Sequence, residues 1–201
     1  MHDAAYQTTF KKPEQEKIEK YIDLATEFNK THNIFARKNK QEVFNKDIVD
    51  CSPLVKIIEP NKSIADLGSG GGLPGLLLSI TNPQNKITLI ESSQKKCYFL
   101  KSVIHALGLK NTEVINKTLT VKNDIGVFDI ITARAFAPIE KIINLTKNNT
   151  HKQSIYYLLK GKDKKTKEEL KVINPKKHIY EIINLNNKNF DRSLVVIKQN
   201  E

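Results

Sequence analysis

Between residues 63 and 80 the chain reads SIADLGSGGGLPGLLLSI. A β-branched run passes through Asp66 into Gly68, Gly70, Gly71 and Gly72, and an apolar segment follows at once. Glycine admits positive φ and lets a ligand approach the main chain, so this loop suits a cofactor laid across a strand end. Glycine loops also make plain strand-to-helix turns, and the neighbouring residues have to decide. A dinucleotide brings an anionic pyrophosphate, which favours a helix N-terminus clear of carboxylates, whereas S-adenosylmethionine brings a sulfonium and an ammonium. Asp66, two residues before the first glycine, suits the cation. Glu91, at the end of ITLIE, can accept hydrogen bonds from both ribose hydroxyls, as a dinucleotide enzyme's acid also does. The plainer alternatives are a helix-capping Asp66 and a solvated, exposed strand-end Glu91.

The rest of the chain weakens the dehydrogenase reading. Its Y-x-x-x-K pair, Tyr156 and Lys160, falls in SIYYLLK, where a strand would hold the two side chains about 13 Å apart. The segment after the fourth expected strand, which usually faces the acceptor in this architecture, is Ala133-Arg134-Ala135-Phe136-Ala137-Pro138. It is not the N-P-P-Y loop of amine-directed base methyltransferases. Methylation of a pyrimidine carbon needs a cysteine nucleophile, and Cys51 and Cys97 read as small core residues. A ring nitrogen with its own lone pair is then an economical acceptor, because it needs no prior deprotonation.

These residues need a scaffold that brings strand ends together. SIADL, KITLIE, TEVIN, FDIITA and SIYYLLK read as strands, alternating with helical patterns over 73–81, 94–107 and 137–147. That alternation predicts a parallel sheet covered on both faces. Ahead of it, Ile18, Tyr21, Ile22, Ala25 and Phe28 recur at helical spacing, with Pro13 in the first turn. A second helix is expected in KQEVFNKDIVDCSPLVKII, broken or restarted at Pro53. KKHIYEIINL and RSLVVIK, joined by an Asn-rich connection, predict an antiparallel hairpin at the sheet edge. The expected division is an N-terminal helical extension over 1–60, packed on a main domain over 61–201.

Lys and Arg number 33 against 22 Asp and Glu, a formal charge of +11. That draws phosphate-rich partners, although a general Lys/Asn/Ile excess also follows from AT-rich coding. The two cysteines and five histidines show no disulfide framework or metal-ligand spacing. With neither an apolar leader nor a run long enough to span a membrane, the expectation is a cytoplasmic monomer without metal.

Read together, FNKTHNIF, DLGSGGGLPGLLLSI, LIESSQKKCYFLK, ARAFAPIEKI, YYLLKGK and RSLVVIK resemble the bacterial ribosomal RNA small subunit methyltransferase G family, also called glucose-inhibited division protein B. The resemblance covers roughly residues 20 to 198. It implies a seven-stranded, Rossmann-like class I methyltransferase fold, S-adenosylmethionine as cofactor, and methylation of guanine N7 in 16S ribosomal RNA of the small ribosomal subunit. Carried over by position, it implies cofactor contacts at Gly68, Leu73, Thr118, Leu119 and Arg134, to which the chemistry above adds Asp66, Gly70 and Glu91. Two positions depart from the family: Leu119 stands where an acid is common, and Asp47 where a histidine is common. Arg134 is a candidate for the cofactor carboxylate or an RNA phosphate. Lys160, Arg192 and Lys198 are candidate phosphate contacts, and Phe136 a candidate for base stacking. The alternatives are a methyltransferase for another RNA or a small molecule, and a basic RNA-binding assembly factor without catalysis.

Overall fold

A computed structural model of the 201-residue chain describes residues 10–185 and 192–200. The Asn-rich connection expected before RSLVVIK falls largely outside them, as do the first nine residues. Seven strands form one sheet: β1 (Ser63–Leu67), β2 (Lys86–Glu91), β3 (Thr112–Asn116), β4 (Phe128–Arg134), β5 (Thr150–Lys160), β6 (His178–Asn184) and β7 (Ser193–Gln199). Their order is β3-β2-β1-β4-β5-β7-β6. The first five are parallel, and β7 runs antiparallel to both β5 and β6. The expected hairpin is present, with β7 inside the sheet and β6 at its edge. Strand order reverses at β1/β4, where open α/β sheets leave a crevice at the carboxyl ends of their strands.

Successive strand residues face opposite sides, and the core divides accordingly. Ile64, Ile87, Leu89 and Ile130 belong to one apolar cluster, while Ala65, Leu67, Ile90 and Ile131 belong to the other. The first cluster is covered by α1 (Lys12–His32), α2 (Lys40–Val43), α3 (Val49–Ile57), α4 (Gly75–Thr81) and α5 (Gln94–Leu107). The second is covered by α6 (Ile139–Thr146) and α7 (Asp163–Leu170). On α1 the predicted stripe is the buried one, with Ile18, Tyr21, Ile22 and Ala25 turned inward. Phe28 stacks near Phe99 of α5, ring centroids 4.9 Å apart, and the Lys20 ammonium donates to the Ala106 carbonyl.

Pro53 does not break its helix. It lies inside α3, and a π-helical turn over Phe44–Ile48 joins α3 to α2. Proline leaves the carbonyl four residues back without its usual donor. Here the Ser52 hydroxyl donates to that carbonyl, on Val49, at 2.9 Å, so one side chain supplies what the ring removed.

Candidate functional site

The glycine loop leaves β1 beside the end of β4, because Leu67 pairs with Ala133. Gly68, Gly70 and Gly72 all take positive φ. At Gly70 a Cβ would meet only the Gly68 carbonyl, at 3.6 Å, so one side of the loop is open main chain. At Gly68 the opposite holds: a Cβ would stand 2.3 Å from Cδ2 of Phe136. The phenyl ring gets there because Ala135 turns the chain with φ of 53°. Phe136 therefore covers the first glycine, and its position owes more to packing than to an open stacking platform.

Glu91 is buried, only 6% exposed, which corrects the expectation of an exposed strand end. Its Oε2 accepts from the Gly70 amide at 2.9 Å and its Oε1 from the Ser93 amide at 2.8 Å. The Ser92 hydroxyl also donates to Oε1, at 3.4 Å, so with about two lone-pair sites per oxygen it is Oε2 that keeps acceptor capacity for a ligand hydroxyl. Asp66 sits beneath the loop, 1% exposed. Its Oδ2 accepts from the amide of Gly75, the first residue of α4, and its Oδ1 from the Thr132 hydroxyl, both at 3.1 Å. The first bond ties the end of β1 to the start of α4, and the second ties it to β4. Burial pushes its carboxyl up to about 6, against the lowering effect of these donors. Leu73 is buried in the core, and Leu119 is half-buried against the second cluster beside exposed Thr118.

The N-terminal layer braces this loop. The Tyr21 hydroxyl donates to the Gly71 carbonyl at 2.8 Å, and the Phe35 ring rests where a Gly71 Cβ would be, at 3.1 Å. Asn29 holds Phe35 in place through its main-chain N–H and carbonyl, at 3.1 and 3.0 Å. The FNKTHNIF motif is thus part of the loop's support.

Next to the loop, a cleft of about 560 Å³ opens at the ends of β4 and β5. Arg37, Arg134, Lys160, Lys162, Lys165 and Arg192 line it, against Asp50 and Glu169. Of the expected phosphate contacts, two are in this wall but already engaged. The Lys160 ammonium, 12% exposed, pairs with Glu169 at 2.7 Å and donates to the Ala137 carbonyl at 2.9 Å. Glu169 in turn accepts from the Ile139 amide at 3.0 Å, so the pair fastens the 135–138 loop. Arg192 pairs with Asp50 at 3.0 Å. Lys198 is exposed at the other end of the sheet, because β7 runs back along β5 and places it opposite Ile155. Arg37 lies in none of the motifs read for chemistry; Lys162 and Lys165 lie in the KGKDKKTKEELK run, whose charge pattern in sequence gives a solvated helix face with some electrostatic pull on RNA. Arg134 donates to Asp47, which also takes both forks of Arg37.

Neither thiol is placed for nucleophilic attack. Cys51 is fully buried and pushed up to about 12 by that burial, and burial also raises Cys97, which donates to the Glu91 carbonyl. Tyr156 meets Thr146 while Lys160 meets Glu169, so those two do not cooperate. Among the described residues no helix is long and apolar enough to cross a membrane, and no three His, Cys, Asp or Glu are grouped to hold a metal.

Solved methyltransferases share this architecture. A S-adenosylmethionine-dependent methyltransferase from Aquifex aeolicus superposes with a TM-score of 0.63 at 12% identity, over 87% of this chain and 98% of its own. SMU.1697c from Streptococcus mutans, solved in complex with SAH, gives 0.55 at 13% identity over 76% and 97%. In sequence, the ribosomal RNA small subunit methyltransferase G of Brachyspira hyodysenteriae is 37% identical over 185 residues, 91% of this chain and 90% of that protein. That of Francisella philomiragia is 32% identical over 92% and 90%. The family model for GidB, rRNA small subunit methyltransferase G, matches residues 14–195, and the chain belongs to that family.

Proposed function

We propose that this chain transfers a methyl group from S-adenosylmethionine to N7 of a guanine in 16S ribosomal RNA of the small subunit. The observation that carries the reading is the junction at the β1/β4 switch point. An open glycine loop and a buried ribose-type acid lie on one side of it, and a cationic cleft on the other. The residues fit the cofactor: open main chain at Gly70, retained acceptor capacity on Glu91, and Gly68, Leu73, Thr118 and Leu119 around the same strand ends. When bound, S-adenosylmethionine supplies a methyl group on a positively charged sulfur. The chain's own part is to hold both reactants in line and to keep water out, with Phe136 and the fastened 135–138 loop forming a wall beside them. Arg134, Lys162 and Lys165 offer cationic contacts to the RNA backbone, whereas Arg37 is held by Asp47 and the Ala36 carbonyl.

Guanine N7 carries a lone pair and no proton at neutral pH, so transfer to it needs no general base. The described residues of the cleft include neither histidine nor cysteine. The test is the single-turnover rate at saturating cofactor and RNA, expected to vary by less than roughly threefold between about pH 6.5 and 8.5, the range in which a histidine base titrates. A rate rising tenfold per pH unit there would demand a base and withdraw the N7 assignment.

A further inference from the structure

We propose that Asp47 is a positioning residue of the transfer reaction: from the N-terminal layer it pins the Arg134 guanidinium at the junction between glycine loop and cleft, where the guanidinium binds an anionic group. The proposal rests on the methyltransferase reading above. Asp47 lies within the π-helical turn, a local departure from helix geometry that often marks functional positions, and is 2% exposed. Its Oδ2 accepts from Arg37 Nε at 2.7 Å and its Oδ1 from Arg37 Nη2 at 2.7 Å, a bidentate fork. The same Oδ1 accepts Arg134 Nη1 at 2.5 Å. One carboxylate thus holds two guanidiniums that would otherwise repel, and the arginines in turn compensate a carboxylate that would be costly to bury alone.

The geometry gives Arg134 a fixed rear and a free front. Only Nη1 is engaged; Nε and Nη2 have no hydrogen-bond partner among the described residues, and the side chain is about a quarter exposed on the cleft wall. Arg134 ends β4, and two residues later Phe136 covers Gly68, so the residue stands where the two halves of the site meet. Its free edge suits a pair of oxygens on one carboxylate or one phosphate. The first would come from the amino-acid end of the cofactor, the second from RNA. Arg134's position depends on an anchor 87 residues away, in the layer whose Tyr21 and Phe35 also support Gly71.

A double-mutant cycle tests this with Asp47→Asn, Arg134→Ala and the pair, all in the full chain. Single-turnover rate, S-adenosylmethionine affinity by calorimetry and RNA affinity by filter binding are measured alongside melting temperature. In D47N we expect the rate to fall about tenfold or more, and to fall no further in D47N/R134A than in R134A alone, since residues acting as one unit are not additive. The affinity that follows the same pattern names the anion: cofactor binding for the carboxylate, RNA binding for the phosphate. An unchanged rate and unchanged affinities in folded D47N, or losses that multiply with those of R134A, would overturn the proposal. Should D47N fail to fold, Asp47→Glu keeps the charge but displaces it by one methylene; a wild-type rate in D47E would overturn the proposal equally. If the wild-type protein transfers no methyl group, the functional reading fails, and the two affinity cycles still decide on Asp47.

Discussion

Glu91 and Gly70 form one hydrogen-bonded unit: the carboxylate at the end of β2 accepts the loop amide at 2.9 Å, across the boundary between two strands. The acid that is expected to hold a ribose therefore also sets the shape of the loop beside it.

Glu91→Ala should consequently lose cofactor affinity and stability together. Hydrogen bonds to a charged group contribute about 1.5 to 3 kcal/mol, so calorimetry should find S-adenosylmethionine binding weakened by roughly ten- to a hundredfold, and the melting temperature should fall. Glu91→Gln keeps an acceptor for Gly70 and should recover most of the stability. Unchanged cofactor affinity in the alanine variant would remove Glu91 from the site.

Asp66 gives stability a pH dependence of its own. Burial raises its carboxyl from 3.8 to about 6, so the folded state prefers the protonated form. The associated stability is fully present below about pH 4 and is lost as pH rises through about 6, after which it is flat. At roughly 1.4 kcal/mol per pKa unit, the loss is up to about 3 kcal/mol. Asp66→Asn, which cannot ionise, should gain stability relative to the wild type between pH 4 and 6 and keep a constant difference above. Parallel melting curves for the two proteins across that interval would contradict this.

At Gly68 the conflict is steric and conformational at once. Alanine would have to accept φ of 62° and displace Phe136, whose Cδ2 stands 2.3 Å from the Cβ position. Left-handed strain alone costs about 1 to 3 kcal/mol, so Gly68→Ala should melt several degrees below wild type. The double variant with Phe136→Ala keeps the backbone strain but removes the clash, and should lose less than the two single changes combined. A Gly68→Ala protein as stable as wild type would show that Phe136 does not rest on the loop.

The sheet, its flanking helices and the loop with Asp66 and Glu91 were legible in sequence because their signals are local: alternation, helical spacing, and glycines at a strand end. The pairings that decide what each charged side chain does are not local. Asp47 meets Arg134 across 87 residues, and Arg192 meets Asp50 across 142. No spacing rule announces such partners. Lys160 reads as a free cation until α7 brings Glu169 against it. Lys198 is a different case. Six residues along a strand cover about 20 Å, and an antiparallel β7 that starts at the site with Arg192 must carry Lys198 to the far end. Pro53 stays inside α3, where proline alone signals a break, because the Ser52 hydroxyl offsets the missing amide.

Those partners redistribute the expected salt dependence of RNA binding. Exposed Lys162 and Lys165 line the cleft with no ion pair among the described residues, so each alanine variant should lower the slope of log K against log salt by about 0.7 to 0.9. Lys160→Ala should change the slope less and the melting temperature more, because it frees Glu169 and the 135–138 loop. Lys198→Ala should leave both near wild type. Equal slopes in all four proteins would mean that this cleft does not take up the RNA backbone.

The methylated atom can be identified directly. Purified protein is incubated with S-adenosylmethionine carrying an isotopically labelled methyl group and with small subunits from a strain that lacks the corresponding gene. The 16S ribosomal RNA is then digested to nucleosides for mass spectrometry. Label is expected in 7-methylguanosine, at close to one per RNA molecule, and is expected to be absent after incubation with Glu91→Ala at limiting cofactor. Label in any other nucleoside, or none in the RNA while the wild-type protein binds the cofactor, would contradict the N7 assignment.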